Sequence, residues 1–226
     1  GYEEQGWQIL DAAVSNAPDN ALIRVERVKY SLAAKALDRA ANELRTVLDS
    51  GAASGEVYLA AASVYAATRD FETSLAYAHK AANALPASHE VHAFVASSLL
   101  ALRRIDESIA YLSNLDPFVL ADNPNLYIML AEIQIDAQQL DAAERTIEAY
   151  RTASTGDAEF LDYLEARKLL EAGNASAAAS KLAIVVERLP EFRIARYYLG
   201  LAYLENGERN RAQNALELYL TANPDD

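Results

Sequence analysis

Residues 197–212 read YYLGLAYLENGERNRA, which places three tyrosines and two glycines within sixteen positions. Gly200 and Ala212 are small, and small residues allow two helix backbones to approach closely. Gly207 lies between them, where the left-handed conformation that glycine adopts easily would end one helix before the next begins. The stretch therefore predicts two helices joined by a tight turn, with Tyr203 in the packing between them.

This pattern recurs along the chain with a period of 34 residues. Pro190 and Pro224 are 34 positions apart, and each lies late in a helical pattern. Dividing the chain at this period gives six frames, of which the fourth has two extra residues: 21–54, 55–88, 89–122, 123–158, 159–192 and 193–226. Residues 1–20 precede them and resemble the second helix of an earlier, truncated repeat.

Two places in every frame hold small residues. The eighth places are Val28, Ala62, Ala96, Ala131, Ala166 and Gly200. The twentieth places are Ala40, Ser74, Ser108, Ala143, Ala178 and Ala212. Apolar residues follow the twentieth place at the spacing of one buried helical stripe. Each frame therefore predicts a closely packed pair of helices.

Polar residues suggest where some of these helices begin. The stretch DAAE (residues 141–144) has the pattern of a capping box, which would start the second helix of the fourth frame. The stretch DNP (residues 122–124) has a capping residue before a proline, which predicts the first helix of that frame.

These features resemble the tetratricopeptide repeat (TPR) family, whose 34-residue pattern has the same small, aromatic and proline places. The last frame matches best, through Leu199, Gly200, Tyr203, Gly207, Ala212 and Pro224. The first frame is weaker, because Arg24, Arg27 and Ser31 occupy places that are usually apolar or aromatic. The resemblance covers the whole chain and implies an all-α, right-handed α-solenoid of helix-turn-helix repeats.

Composition narrows the range of partners. The net charge is −13 and none of the segments 1–54, 55–122, 123–158 and 159–226 is net basic, so nucleic acid and anionic membranes are not expected partners. The longest uncharged stretches have twelve residues, too few to insert into a membrane. There is no cysteine, which excludes disulfides and thiol chemistry. The opening GYEEQGW suggests a fragment of a larger protein.

The resemblance implies that the first helix of each repeat lines a concave groove. We therefore expect a protein or peptide partner to bind there, with aromatic and arginine side chains as anchors. The candidate groove residues are Ile128, Phe160, Tyr163, Arg167, Tyr197, Tyr198 and Leu201. The alternative is that these side chains pack within the fold or against repeats absent from this sequence.

Other kinds of site are not expected. A carboxylate clamp of the chaperone-tail-binding type is excluded, because Ala60 and Phe94 occupy the places that such a clamp requires. His89 and His92 are one helical turn apart, but a metal site would need further ligands, and His92 is expected to pack. No catalytic motif or cofactor-binding loop is present, so we expect no enzyme activity, metal or cofactor.

The sequence thus predicts a non-catalytic protein-interaction scaffold. The alanine-rich repeats loosely resemble those of bacterial cell-envelope TPR proteins associated with exopolysaccharide export or exosortase-type sorting. Two alternatives stay open: a regulatory or substrate-recruiting arm of an enzyme whose catalytic domain lies elsewhere, and a structural module that self-associates through exposed end repeats. The residues do not distinguish a cytoplasmic from a periplasmic or envelope location.

Overall fold

The computed structural model describes residues 2–153 and 158–223, with the side chains from residue 4 onward. The described residues form fourteen α-helices and no strand, which confirms the all-α repeat fold. The chain divides into two compact units, unit 1 (residues 1–111) and unit 2 (residues 112–226). Pro224, part of the sequence pattern of the last frame, lies outside the described residues.

Unit 1 contains the first six helices and most of the seventh. They are α1 (Tyr2–Asn16), α2 (Ala21–Ala33), α3 (Leu37–Asp49), α4 (Gly55–Ala67), α5 (Phe71–Ala84), α6 (His89–Ala101) and α7 (Ile105–Ser113). Its core is built from small and branched apolar side chains such as Val25, Val28 and Val95, all at most 1% exposed. One buried cluster joins α2, α3 and α4, and two others join α4, α5 and α6, so each cluster spans neighbouring helix pairs.

Unit 2 contains the remaining helices and one large core cluster. They are α8 (Pro117–Asp122), α9 (Asn125–Asp136), α10 (Leu140–Ala153), α11 (Ala158–Glu171), α12 (Ala175–Arg188), α13 (Arg193–Glu205) and α14 (Arg209–Ala222). The cluster includes Tyr150, Tyr163, Leu164 and Leu182, each completely buried, so unit 2 has larger core side chains than unit 1. None of the described helices is long and apolar enough to cross a membrane.

The small residues lie where paired helices approach most closely. Ser74 donates a hydrogen bond to the carbonyl of Ala62 at 2.8 Å, and Ser108 donates to that of Ala96 at 3.1 Å. Both bonds join the twentieth place of a frame to its eighth place. At the eighth place of the last frame, a Cβ on Gly200 would come within 2.6 Å of the Leu216 side chain.

All six turns within these helix pairs have the same backbone geometry. The residue at the fifteenth place of each frame has positive φ: Lys35, Arg69, Arg103, Gln138, Gly173 and Gly207. In each case the following N–H bonds to a carbonyl five residues earlier, for example Glu208 to Tyr203 at 2.8 Å. This is the Schellman arrangement, which satisfies the free carbonyls at the end of the first helix.

Two of the predicted helix starts are wrong in detail. Asp141 lies inside the first turn of α10, which begins at Leu140, so the DAAE stretch does not form a capping box at the helix boundary. Pro124 itself occupies the capping position of α9, without a side-chain bond, and Asp122 ends the preceding helix. That preceding helix, α8, was not expected; Asp116 caps it by accepting a bond from the N–H of Phe118 at 2.9 Å.

The polar residues that weaken the first frame form ion pairs within unit 1. Arg24 and Arg27 on α2 contact the carboxylate of Glu43 on α3 at 3.2 and 3.1 Å. The Glu43 side chain is only 14% exposed, so these pairs replace part of the apolar contact between the two helices.

Candidate functional site

Aromatic rings form a continuous series through unit 2, which we call the aromatic ladder. Neighbouring ring centroids are 4.8 to 6.1 Å apart, within the range of favourable edge-to-face and tilted contacts. In order of contact, the rings are Phe160, Phe192, Tyr163, Tyr198, Tyr197 and Tyr219. Tyr163 and Tyr197 occupy the same place in adjacent frames, so the period of 34 brings ladder residues from α11 and α13 together.

Arg167 fixes the middle of the ladder. Its guanidinium carbon lies 3.7 Å from the centre of the Tyr198 ring, a cation–π contact, and its side chain is 2% exposed. The Arg167 Nη1 donates to the Tyr163 hydroxyl at 3.3 Å, and Nη2 forms an ion pair with Asp136. The Tyr163 hydroxyl in turn donates to Glu132 at 2.7 Å. These contacts tie α11 to α9 and hold both tyrosine rings in place.

Burial changes the acid–base properties of this cluster. It raises the pKa of the Glu132 carboxyl above its ordinary value, and the hydrogen bond from Tyr163 and the charge of Arg167 offset only part of this. Burial also raises the pKa of Tyr163, and it raises the pKa of Tyr198 to about 12. Both tyrosines are therefore neutral phenols near neutral pH, able to donate hydrogen bonds.

The ladder ends at an apolar pocket between α13 and α14. The pocket has a volume of about 450 Å³ and is lined by Ile194, Tyr197, Leu216, Tyr219 and Leu220. We call it the tyrosine pocket. The Tyr197 ring is half-buried and contacts the Tyr219 ring at 5.4 Å, while Leu220 at the rim is 50% exposed. The pocket can accept an apolar or aromatic side chain of a few carbon atoms.

The seven candidate groove residues all lie in unit 2 but differ in exposure. Tyr163 and Arg167 are buried at 0% and 2% exposed, and both contact other side chains of the ladder. Four half-buried side chains pack against the core cluster: Ile128, Phe160, Tyr198 and Leu201. Tyr197 alone among the seven lines the tyrosine pocket. Direct contact between these seven residues and a partner stays a prediction.

Reasoning from the sequence missed several members of the site. Phe192 immediately precedes α13, outside the places expected to face the groove, yet its ring contacts both Phe160 and Tyr163. Tyr219 lies on a second helix, where only packing was expected. The sequence feature that could have identified Tyr219 is its aromatic ring, since the third and fifth frames have the aliphatic residues Leu115 and Val185 at the same place.

The histidines lie apart from this site, in unit 1. His92 is 6% exposed, as expected for a packed residue. Its Nε2 lies 2.9 Å from the carbonyl of Pro86, which can only accept, so Nε2 carries the proton and Nδ1 accepts from the Tyr111 hydroxyl at 2.7 Å. Burial, with the nearby charge of Arg104, lowers the pKa of His79. Among the described residues, no group of three or more potential ligands is placed to hold a metal.

Comparison with known proteins supports the repeat fold. The sequence model of the tetratricopeptide repeat family matches residues 195–226. A search of curated protein sequences found no match. A solved tetratricopeptide repeat protein from Parabacteroides merdae superposes with a TM-score of 0.68 at 14% identity, covering 89% of this chain and 79% of that one.

Two further solved structures are similar over most of the chain. PilW, described as a widely conserved type IV pilus biogenesis factor, gives a TM-score of 0.67 at 21% identity and covers 83% of this chain and 86% of its own. A chain of the APC/C hetero-tetramer Cut9-Hcn1 gives 0.73 at 14% identity. That match covers 99% of this chain but 44% of the other, so this chain spans less than half of that protein's length. The chain therefore has the fold of tetratricopeptide-repeat proteins, and residues 195–226 match the sequence model of that family.

Proposed function

We propose that this chain is a non-catalytic interaction scaffold that captures an apolar or aromatic side chain of a protein or peptide partner in the tyrosine pocket. The fold supports a protein-interaction scaffold in general. The observation that carries the finer proposal is the apolar pocket itself, bounded by Tyr197 and Tyr219 at the end of the aromatic ladder.

The ladder supports this proposal because it prepares the pocket for binding. Tyr197 is held against Tyr198, which is held in turn by the buried guanidinium of Arg167. Binding to a wall that is already ordered loses little side-chain entropy, and tyrosine has only two side-chain torsions to fix. Less of the burial energy gained by an entering side chain is therefore lost in ordering the pocket.

The partner's side chain is expected to be uncharged. Aliphatic and aromatic groups alone line the pocket, apart from the hydroxyls of Tyr197 and Tyr219. A charged group placed there would lose its hydration without gaining an opposite charge. Burying an apolar side chain contributes about 25 cal/mol for each Å² removed from water, which favours leucine, phenylalanine or tryptophan.

The test compares two leucines of matched exposure on α14. Leu220 lines the tyrosine pocket and is 50% exposed, whereas Leu218 lies outside that pocket and is 49% exposed. Peptides selected from a random display library against the wild-type chain would be titrated by calorimetry into both aspartate variants. We expect Leu220→Asp to weaken binding at least about tenfold, and Leu218→Asp to change it by less than about twofold.

Equal effects of the two substitutions, or no effect of either, would contradict the assignment of the pocket. Circular dichroism of each variant checks that the helices are intact. Sedimentation velocity separates partner binding from self-association. If the wild-type chain forms a dimer that Leu220→Asp dissociates, the occupant is a second copy of the chain, and the structural-module alternative is favoured over a separate partner.

The setting of this function is a further part of the proposal. A role in a bacterial envelope or protein-sorting system is supported by the style of the repeats and by the fold shared with PilW. Fractionation of cells that express the full-length protein from its own promoter would test this location. Recovery in the cytosolic fraction alone would contradict it.

A further inference from the structure

A second pocket lies on the other side of α13 from the tyrosine pocket. It has a volume of about 460 Å³ and is formed by residues of α12, α13 and α14. Successive residues of a helix are rotated by about 100° about its axis. Around α13, Arg196 and Tyr203 therefore lie about 100° and about 120° from Tyr197, in the same direction. We call this the arginine pocket, because Arg196 and Arg211 lie on its rim.

The floor of the arginine pocket is apolar and its rim is basic and polar. Leu199 at 7% exposed and Leu218 at 49% exposed provide apolar surface, and Asn210 and Asn214 stand with the arginines. No carboxylate of the described part of the chain lines the pocket. In a chain with a net charge of −13, this is a local concentration of positive charge beside exposed apolar surface.

The polar groups of the rim are available to a ligand. Among the described residues, the side chains of Arg196, Asn210 and Asn214 have no hydrogen-bond or ion-pair partner. Arg211 is paired with Glu208 at 2.8 Å, but its side chain is 68% exposed, so this pair contributes little and is readily exchanged. The Arg211 guanidinium also lies 5.5 Å from the centre of the Tyr203 ring, which positions it near the pocket.

We propose that the arginine pocket docks an acidic segment of a partner protein, in which an apolar side chain is flanked by carboxylates. The apolar side chain would contact Leu199 and Leu218, and the carboxylates would accept hydrogen bonds from Arg196 and Arg211. Arginine offers several N–H donors in a planar arrangement that fits a carboxylate. The two asparagines provide further donors and acceptors for the backbone of the segment.

Charge complementarity selects this occupant over the alternatives. The overall charge of the chain repels an acidic peptide, so such a peptide binds only where local positive charge outweighs that repulsion. A small inorganic anion would use the arginines but leave the apolar floor exposed to water. An uncharged apolar segment would leave both arginines without a counter-charge.

The test uses four acetylated pentapeptides in which leucine, isoleucine, phenylalanine or tryptophan lies between glutamate pairs. Each would be titrated by calorimetry into the wild-type chain at low salt. We expect at least one to bind with a dissociation constant below about 1 mM, and expect that binding to weaken as salt is raised. The double variant Arg196→Gln/Arg211→Gln should weaken it at least about tenfold.

Two controls separate this pocket from other sites. Arg209→Gln removes one positive charge from α14, as Arg211→Gln does, but Arg209 lies outside the arginine pocket. This substitution should alter peptide binding by less than about twofold. Leu218→Asp should weaken binding of the acidic peptides, whereas Leu220→Asp should not. Since that is the reverse of the pattern expected for the tyrosine pocket, failure of either proposal leaves the other intact.

Each of these results would overturn the proposal: no binding by any of the four peptides up to about 1 mM, equal binding to the double variant, an effect of Arg209→Gln as large as that of the double variant, or equal binding of a peptide with alanine at the centre. Inorganic phosphate serves as the last probe. If phosphate alone displaces the peptides at comparable concentration, the pocket is a simple anion site and the apolar floor has no part in it.

Discussion

Arg167 retains a full positive charge at a position where water reaches only 2% of its side chain. Such burial is costly unless the charge is paired and hydrogen-bonded. Asp136, Glu132, Tyr163 and the face of the Tyr198 ring supply these contacts, although the Nε of Arg167 has no hydrogen-bond partner among the described residues. These contacts compensate the buried charge of Arg167 even though one of its nitrogens is unpaired, and they hold the neighbouring side chains in place.

Replacing Arg167 should destabilise the chain more than replacing its most exposed partner. Arg167→Met removes the guanidinium and leaves Glu132 and Tyr163 without their neighbour, so we expect the free energy of unfolding to fall by about 2 kcal/mol. Asp136 is 63% exposed and can be hydrated, so Asp136→Asn should cost less than about 1 kcal/mol. Urea unfolding followed by circular dichroism measures both; equal losses would contradict the central role of Arg167.

Glu132 gives the stability of the site a pH dependence. Its pKa in the folded chain is raised above the ordinary 4.5, mainly by burial, so the folded state holds its proton more tightly than the unfolded state does. The carboxyl therefore favours folding most below its ordinary pKa, and this advantage is lost as pH rises through the raised pKa.

The variant Glu132→Gln should isolate this effect, because glutamine can still accept the hydrogen bond from Tyr163. Relative to the wild type, its free energy of unfolding should rise as pH increases from about 4 to about 7. Urea unfolding of both proteins over that range provides the measurement. A difference that stays constant, or that moves in the opposite direction, would show that Glu132 does not titrate as described.

At the scale of helices and turns, the six helix pairs use one turn geometry with different residues. Glycine occupies the left-handed position at Gly173 and Gly207, whereas Lys35, Arg69, Arg103 and Gln138 adopt it with a side chain present. A side chain in that conformation costs roughly 1–2 kcal/mol. The positive charges at three of these places interact favourably with the adjacent helix C-terminus and offset part of that cost.

Exchanging residues between these turns should change stability in opposite directions. A Cβ at Gly173 would meet no atom within 4 Å, so Gly173→Ala tests the backbone alone and should destabilise the chain by about 1 kcal/mol. Arg69→Gly should stabilise it by up to about 0.5 kcal/mol. The free energy gained by relieving the backbone strain exceeds the combined cost of losing the charge interaction with the helix end and of making the unfolded chain more flexible. Thermal unfolding of both variants measures the two signs, and destabilisation by both would contradict the argument.

The sequence predicted this level of structure well because it repeats. A period of 34, small residues at two places and glycine at two turns were enough to expect an all-α repeat fold. The helix starts were less accurate, since Asp141 lies inside the first turn of α10, where a carboxylate is also favourable. The aromatic ladder was predicted only in part, because contacts between adjacent repeats depend on how helices stack and bring in residues such as Phe192 and Tyr219 from other places.

In the molecule as a whole, the stability of each repeat is expected to depend mainly on contacts with nearby helices. Within each unit, successive helix pairs contact one another, so a local disturbance should affect the nearest helices most. The variant Arg167→Met should therefore speed amide hydrogen exchange in α9, α11 and α13, which contain the ladder and its supports, while α2 to α5 in unit 1 change by less than about twofold. Hydrogen-exchange mass spectrometry resolves these segments, and equal acceleration in both units would show a single cooperative unit instead.

Entry of a partner's apolar side chain into the tyrosine pocket can be observed directly. The most direct measurement is nuclear magnetic resonance of the chain with labelled tyrosine rings, in complex with a peptide selected from the random library. We expect intermolecular contacts from one apolar side chain of the peptide to the rings of both Tyr197 and Tyr219. Contacts confined to other tyrosines, with the resonances of Tyr197 and Tyr219 unchanged on binding, would contradict it.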